Sequence, residues 1–247
     1  MYNKSKTILI TGASSGIGRA AALAFSSSAQ RNRLVLVSFK NKAGLNDTAK
    51  LASDMGADVL SLSADVADYD SCKRIIDETN AHFGDIDILI NNAGISHIGL
   101  FHDMTPDNWQ RIMNVNIGSV MNMCHLVIPS MIRRHCGRII NISSVWGNVG
   151  ASCEAVYSAS KGAVNSFTRA IAKELAPSNI QVNAIAFGAI QTPMNNWMSD
   201  EDVQALSDEI PMGREGSAKE AAEMICLLAN SPDYLTGQII TMDGGWL

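Results

Sequence analysis

The chain has 247 residues, 47% of them hydrophobic and 17% charged, with a formal net charge of −5. Such a composition buries a sizeable core and excludes an intrinsically disordered chain. The acidic balance carries no polyanion signal, so nucleic acid is not an expected partner.

The N-terminal "MYNKSKTILI" holds a four-residue apolar run, too short for the core of a signal peptide. No apolar run approaches the ~18 residues of a membrane helix, so no membrane partner is expected. Five dispersed cysteines (Cys72, Cys124, Cys136, Cys153 and Cys226) form no CxxC pair. They read as reduced, buried thiols of a cytoplasmic protein. The histidines show no ligand spacing, and no metal is expected.

Strands are predicted at 7–10, 33–39, 59–65, 86–93, 137–144, 180–186 and 237–242. Helical patterns fill 17–29, 43–55, 69–83, 106–134, 155–175 and 218–229. Strands alternating with helices predict an α/β chain, a doubly wound parallel sheet of about seven strands in one Rossmann-type domain over 1–247. Near-continuous apolar strands such as "RLVLV" fit a sheet buried on both faces. Residues 188–216 have the weakest local preference and are expected to form a substrate lid.

The first strand runs into "TGASSGIG", where Gly12, Gly16 and Gly18 form TGxxxGxG. Glycine permits the tight turn and lets the backbone approach a phosphate, which then faces free N–H groups at a helix N-terminus. Alone, the pattern is also compatible with an ordinary strand–helix turn. The second strand ends in "LVLVSFKNK", with no Asp or Glu for a ribose diol. Ser38 and Lys40 are available for a 2′-phosphate, which favours NADP over NAD. The alternative is that Lys40 and Lys42 are solvated loop charges.

Tyr157 and Lys161 stand four apart in a helical pattern and share a face. A neighbouring ammonium stabilises a phenolate, so the pair suits proton transfer to or from an alcohol or ketone oxygen. Ser144 ends a predicted strand, where α/β sheets place ligands, and its hydroxyl can hold the same oxygen. YxxxK by itself also fits an exposed amphipathic pair.

Beyond these residues, "NNAG" (91–94), "VN" (115–116), "ISS" (142–144), "YSASK" (157–161) and "GQIITMDGG" (237–245) complete a pattern. The chain resembles the short-chain dehydrogenase/reductases over nearly its whole length. The resemblance implies a carbonyl reductase that transfers the pro-S hydride of NADPH to a ketone. Tyr157 would be the acid–base, Ser144 the orienter of the carbonyl, and Lys161 would lower the tyrosine pKa and hold the nicotinamide ribose. Asn116 would anchor a water leading to Lys161. Asp65 would hold the adenine with Val66 beside it, and Asn91 would lie under the adenosine ribose. Ser14, Ser15 and Ile17 of the glycine loop, and Ala93 and Gly94 after the fourth strand, would also meet the cofactor. Gly188, Ile190 and Thr192 would contact the nicotinamide end or the phosphates. The family commonly forms tetramers through helices near 106–134 and 155–175 and the C-terminus, so a homotetramer is expected. Phe187 stands where the family usually has proline, which puts cofactor affinity or the flexibility of 188–198 in doubt.

Two subgroups compete. One is the 3-oxoacyl-carrier-protein reductases, for which Arg133, Arg134 and Arg138 offer a basic docking patch, or merely a solvated helix end. "SSVWGNVGASCEAVYSASKGA" and the terminal "GGW" look more like the elongation factor P 5-aminopentanone reductases. Members of that group reduce a ketone carried on a lysine of elongation factor P, and the carried group ends in an amine. Trp146, Glu154 and His97 are the expected substrate contacts. Glu154 either binds that ammonium or serves the helix dipole. Cys153 reads as a small buried thiol. A non-catalytic NADP-binding sensor or docking protein is the alternative from another class.

Overall fold

The structure, a computed structural model, describes residues 5–27 and 31–247. Its elements run β1 (Thr7–Thr11), α1 (Gly16–Ser26), β2 (Arg33–Ser38), α2 (Lys42–Asp54), β3 (Asp58–Ser63), α3 (Tyr69–Phe83) and β4 (Ile88–Asn91). Then follow α4 (Pro106–Met113), α5 (Ser119–Arg134), β5 (Gly137–Ser144), a short α6 (Trp146–Val149), α7 (Ala155–Leu175) and β6 (Ile180–Phe187). The chain closes with β7 (Ile190–Gln191), α8 (Asp200–Glu209), β8 (Gly216–Ser217), α9 (Ala218–Ala229) and β9 (Ile239–Met242). The predicted helix 17–29 ends at Ser26 in α1, and residues 28 and 29 of that prediction lie outside the described residues.

Seven strands form one parallel sheet in the order β3-β2-β1-β4-β5-β6-β9. Strand alternation explains the two-faced core. Ile8, Ile10, Leu34 and Leu36 point to one face and pack with Phe25, Leu45 and Ile225 of the helices there. Leu9, Val35 and Val37 point to the other and meet Ile75, Met123, Val127 and Ile171. Because both faces are covered, the central strands are apolar throughout. The strand order reverses between β1 and β4, and a doubly wound sheet opens its crevice at the carboxyl ends there.

The predicted helix 106–134 is continuous but not uniform. A π-helical turn, Asn114–Gly118, joins α4 to α5. Such turns insert one extra residue and cluster at functional sites; this one carries Asn116. Although it holds no unbroken apolar run of membrane length, Pro106–Arg134 is long and apolar enough to cross a membrane by length and composition. Half of its most apolar window is buried within the chain, where Val120, Met123, Cys124, Val127 and Met131 pack inward.

The segment 188–216 is more regular than its sequence predicts. β7 pairs with β8, and α8 opens with a reciprocal capping box between Ser199 and Asp202. Phe187 does not interrupt the strand: β6 continues through it, paired with Ser144 and Met242. Its ring is buried in the core, and its carbonyl accepts the Val145 N–H at 3.0 Å. The cysteines depart from expectation. All five are free, but Cys72 and Cys124 alone are buried; Cys136 is exposed and Cys153 and Cys226 are half-buried.

Candidate active site

A cleft of about 1110 Å³ runs along the carboxyl ends of the strands, from β3 and β2 across β1 and β4 to β5 and β6. The glycine loop forms its floor. Gly12 has φ +70°, a conformation glycine adopts without strain. Thr11 Oγ1 accepts the N–H groups of Asn92 and Ala93, each at 3.0 Å. Asn92 Nδ2 donates back to the carbonyls of Thr11 and Gly12. The loop is therefore stapled to β4, and its first-turn N–H groups face the cleft at the start of α1.

Gly12, Ser14, Ser15, Gly16 and Ile17 line the cleft; Gly18 does not. A Cβ on Gly18 would sit 2.3 Å from the Gly12 carbonyl oxygen and 2.5 Å from Asn92 Nδ2. Its place is beneath the loop, where it lets α1 close on β1 and β4. Gly18→Ala is expected to cost about 1–3 kcal/mol through overpacking, measured as a fall of several degrees in Tm.

At the β2–β3 end, Ser38, Lys40, Asp65 and Val66 line the cleft, with Phe39, Asn41 and Arg111 beside them. Ser38 Oγ donates to Ser14 Oγ at 2.9 Å. Ala93 and Gly94 line the centre. Asn91, expected under the ribose, lies elsewhere. Its side chain is buried and donates to Asn141 Oδ1 at 2.9 Å and toward Cys124 Sγ at 3.5 Å. As the last residue of β4 it points into the core; Asn92, one position on, faces the loop. Strand alternation is the reason, and it was the signal available in the sequence.

Ser144, Tyr157 and Lys161 converge at the β5–β6 end. Burial pushes the Tyr157 hydroxyl up to about 12, the charge of Glu154 adds to the rise, and a hydrogen bond with Ser144 opposes it. Lys161 is 4% exposed, donates from Nζ to the Ile142 carbonyl at 2.8 Å, and lies 5.6 Å from the Tyr157 ring centroid. Burial lowers its pKa to about 8. The expected depression of the tyrosine pKa by Lys161 is thus not what the isolated chain shows. The forces that set the Tyr157 pKa here are burial, the charge of Glu154 and the hydrogen bond with Ser144. Asn116 lies behind the cleft lining. Its Oδ1 accepts the Ile95 N–H at 2.8 Å, and its Nδ2 donates to the Ile95 carbonyl and to Ser160 Oγ, both at 2.9 Å. It clamps the loop that follows Gly94.

Beyond Tyr157 the walls turn aromatic and acidic. Trp146, Trp197 and Trp246 line the cleft with Glu154 and Glu209. Trp146 and Trp246 meet edge to face, centroids 4.9 Å apart. Glu154 is the N-cap of α7, yet its side chain makes no capping bond. Burial raises its carboxyl above the ordinary range, and a hydrogen bond with Trp146 partly offsets this. Met194, Met198 and Leu206 come from the lid, and Gly188, Ile190 and Thr192 from its base. Thr192 lies against Gly16, so the lid base closes over the glycine loop. His97, expected at the substrate, is exposed and outside the lining. Cys153 is also outside it. It adopts φ +61°, uncommon without glycine, and its carbonyl accepts the Gly99 N–H at 2.9 Å. Leu206 and Glu209 were missed because the sequence of α8 reads as irregular, and Trp197 lies in the turn before it. The signal was Ser199-x-x-Asp202, a capping box with acids in the first turn.

The glycine cradle, the helix N-terminus and the length of the cleft fit a nicotinamide dinucleotide with its reactive end near Tyr157. A doubly wound fold with a serine, a tyrosine and a lysine at that end defines a dinucleotide-dependent oxidoreductase. A family profile described as Enoyl-(Acyl carrier protein) reductase matches residues 12–247. The Thermotoga maritima protein named 3-oxoacyl-[acyl-carrier-protein] reductase FabG is 39% identical, covering 99% of both chains. An uncharacterized oxidoreductase of Bacillus subtilis, YmfI, is 37% identical over 98% of this chain and 99% of its own. A Staphylococcus aureus FabG is 37% identical over 98% of each. The chain belongs to the short-chain dehydrogenase/reductase family and is an NAD(P)H-dependent oxidoreductase acting on a ketone.

Proposed function

We propose that the protein uses NADPH to reduce a ketone whose far end is a primary ammonium, the 5-aminopentanone group on a lysine of elongation factor P. The observation that carries this reading is the wall beyond Tyr157: Glu154 and Glu209 among Trp146, Trp197 and Trp246. Aromatic faces and carboxylates in a partly dry pocket favour an ammonium. An acyl thioester presents no cation to them. The lid helix points the same way. α8 carries Asp200, Glu201, Asp202, Asp208 and Glu209 and no basic residue, which repels an acidic carrier protein. The arginines expected to greet such a carrier are largely engaged within the chain. Arg134 pairs with Asp85 and Asp87, and Arg138 with Asp233.

In this reading the cofactor supplies the hydride. Ser144 orients the ketone oxygen, and Tyr157, held protonated by its surroundings, donates a proton to it. Lys161 passes a proton back to the Tyr157 phenolate and holds the ribose, with Asn116 positioning the loop beside it. Ser38 and Lys40 meet the 2′-phosphate, the basis for NADPH over NADH. The apolar outer residues of α5, such as Met121 and Ile132, fit the homotetramer that the family resemblance implies.

The second reading, 3-oxoacyl-carrier-protein reduction, is favoured by the names of the relatives and by Met194, Met198 and Leu206, which suit an acyl chain. NADPH oxidation with modified elongation factor P, run beside an acetoacetyl thioester, decides between them. Glu154→Gln sharpens the comparison. It removes a charge-assisted contact worth about 1.5–3 kcal/mol, so KM for the amine-bearing ketone should rise at least about tenfold while KM for the thioester is unchanged; any effect on kcat through Tyr157 is shared by both substrates. An equal rise in KM for both substrates would sink the ammonium reading.

A further inference from the structure

Arg111 stands on α4, distant in sequence from both the glycine loop and β2, yet it lines the same end of the cleft as Ser38 and Lys40. Its Nη1 lies 2.8 Å from Asp65 Oδ2, and its guanidinium carbon 5.8 Å from the Phe39 ring centroid. The other oxygen of Asp65 accepts the Ala67 N–H at 3.0 Å. Both carboxylate oxygens are therefore engaged, and the guanidinium is held on two sides.

The charges decide what this end of the cleft accepts. Among the described residues lining it, the cations are Lys40 and Arg111 and the acid is Asp65; Lys161 belongs to the opposite end. Without Arg111, the formal charges of Lys40 and Asp65 cancel. With it, this end carries one net positive charge. A lone carboxylate at this end of the cleft repels a phosphate. A guanidinium carries five N–H donors, so pairing one edge with Asp65 leaves another edge for an anion.

We infer that Arg111 is a cofactor-specificity residue. It masks Asp65 and, together with Lys40, supplies the positive field that selects the 2′-phosphate of NADP(H). Phe39 holds the guanidinium in place. This rests on the NADPH reading above.

The test is binding, not turnover: Kd for NADPH and for NADH by nicotinamide fluorescence, at fixed ionic strength. The unaltered protein should prefer NADPH. Arg111→Met should weaken NADPH about tenfold or more and NADH by no more than about threefold. Arg111→Lys should keep most of the preference. Adding Asp65→Asn to Arg111→Met should recover part of the NADPH affinity, because the unmasked charge is then gone. Arg111 is partly exposed, and Arg111→Gln serves in the same titration if the Met variant does not fold. A preference for NADH in the unaltered protein sinks the NADPH reading itself. A preference for NADPH, with equal losses of both cofactors in a folded Arg111 variant, overturns only the specificity role of Arg111.

Discussion

Tyr157→Phe should bind NADPH within about threefold of the unaltered protein and lose ketone reduction by a factor of about 10²–10⁴, the usual worth of a positioned general acid. The change deletes one oxygen and keeps the ring, so the wall of the cleft stands. What is lost is the proton donor. Burial and Glu154 push that hydroxyl up to about 12, which keeps it protonated throughout the neutral range, the state that reduction requires. Glu154 thus favours the protonated form of Tyr157. NADPH binding is read by fluorescence and turnover by loss of absorbance at saturating ketone. Undiminished turnover in the Phe variant would refute the role of Tyr157 as proton donor.

In the cofactor-free protein the contribution of Lys161 to stability should grow as pH rises from 8 toward 10.5, and Lys161→Met should abolish that component. The sign follows from the protons bound. Burial lowers the folded pKa of Lys161 from its ordinary 10.5 to about 8. Between those values the unfolded chain binds more protons than the folded one, so the unfolding free energy rises with pH. Below pH 8 the ammonium is protonated in both states, and its burial cost is fully felt. A displacement of that size corresponds to roughly 3 kcal/mol. Cys72, Cys124 and Cys226, whose thiols burial pushes up from 9.0 to about 12, 12 and 11, act in the opposite direction from about pH 9, and Tyr157 joins them above pH 10, so the comparison with Lys161→Met is what carries the test. Urea unfolding at pH 7.5 and 9.8, with and without the substitution, isolates the Lys161 contribution. Identical pH dependence in the two proteins would show that the ammonium is not buried as described.

That lysine also shows how far local sequence carries. Its spacing from Tyr157 follows from helical periodicity and was legible. The direction of its own pKa was not, because it depends on Ile142 and the β5 backbone that enclose it. The same division runs through the cleft. Gly12 and Gly16 were legible as a cradle because positive φ is a backbone property that sequence spacing announces. Asn91 was misplaced because a single step along β4 turns a side chain from the loop to the core. Arg111 and Glu209 were invisible as site residues, since nothing near either in the chain points to a ligand.

The class of fold, the parallel sheet, the glycine loop and the Ser144–Tyr157–Lys161 set were all present in the order of residues. Those rest on period-two and period-3.6 patterns and on short motifs, whose physics acts between neighbours in the chain. The character of the two ends of the cleft came only with folding. It brought Trp146, Glu154 and the near-terminal Trp246 to one wall, with Glu209 from the lid, and set Arg111 against Asp65 and Phe39 at the other. Burial and Coulomb interaction depend on distance through space, and the crossovers of a doubly wound sheet are what make those distances short.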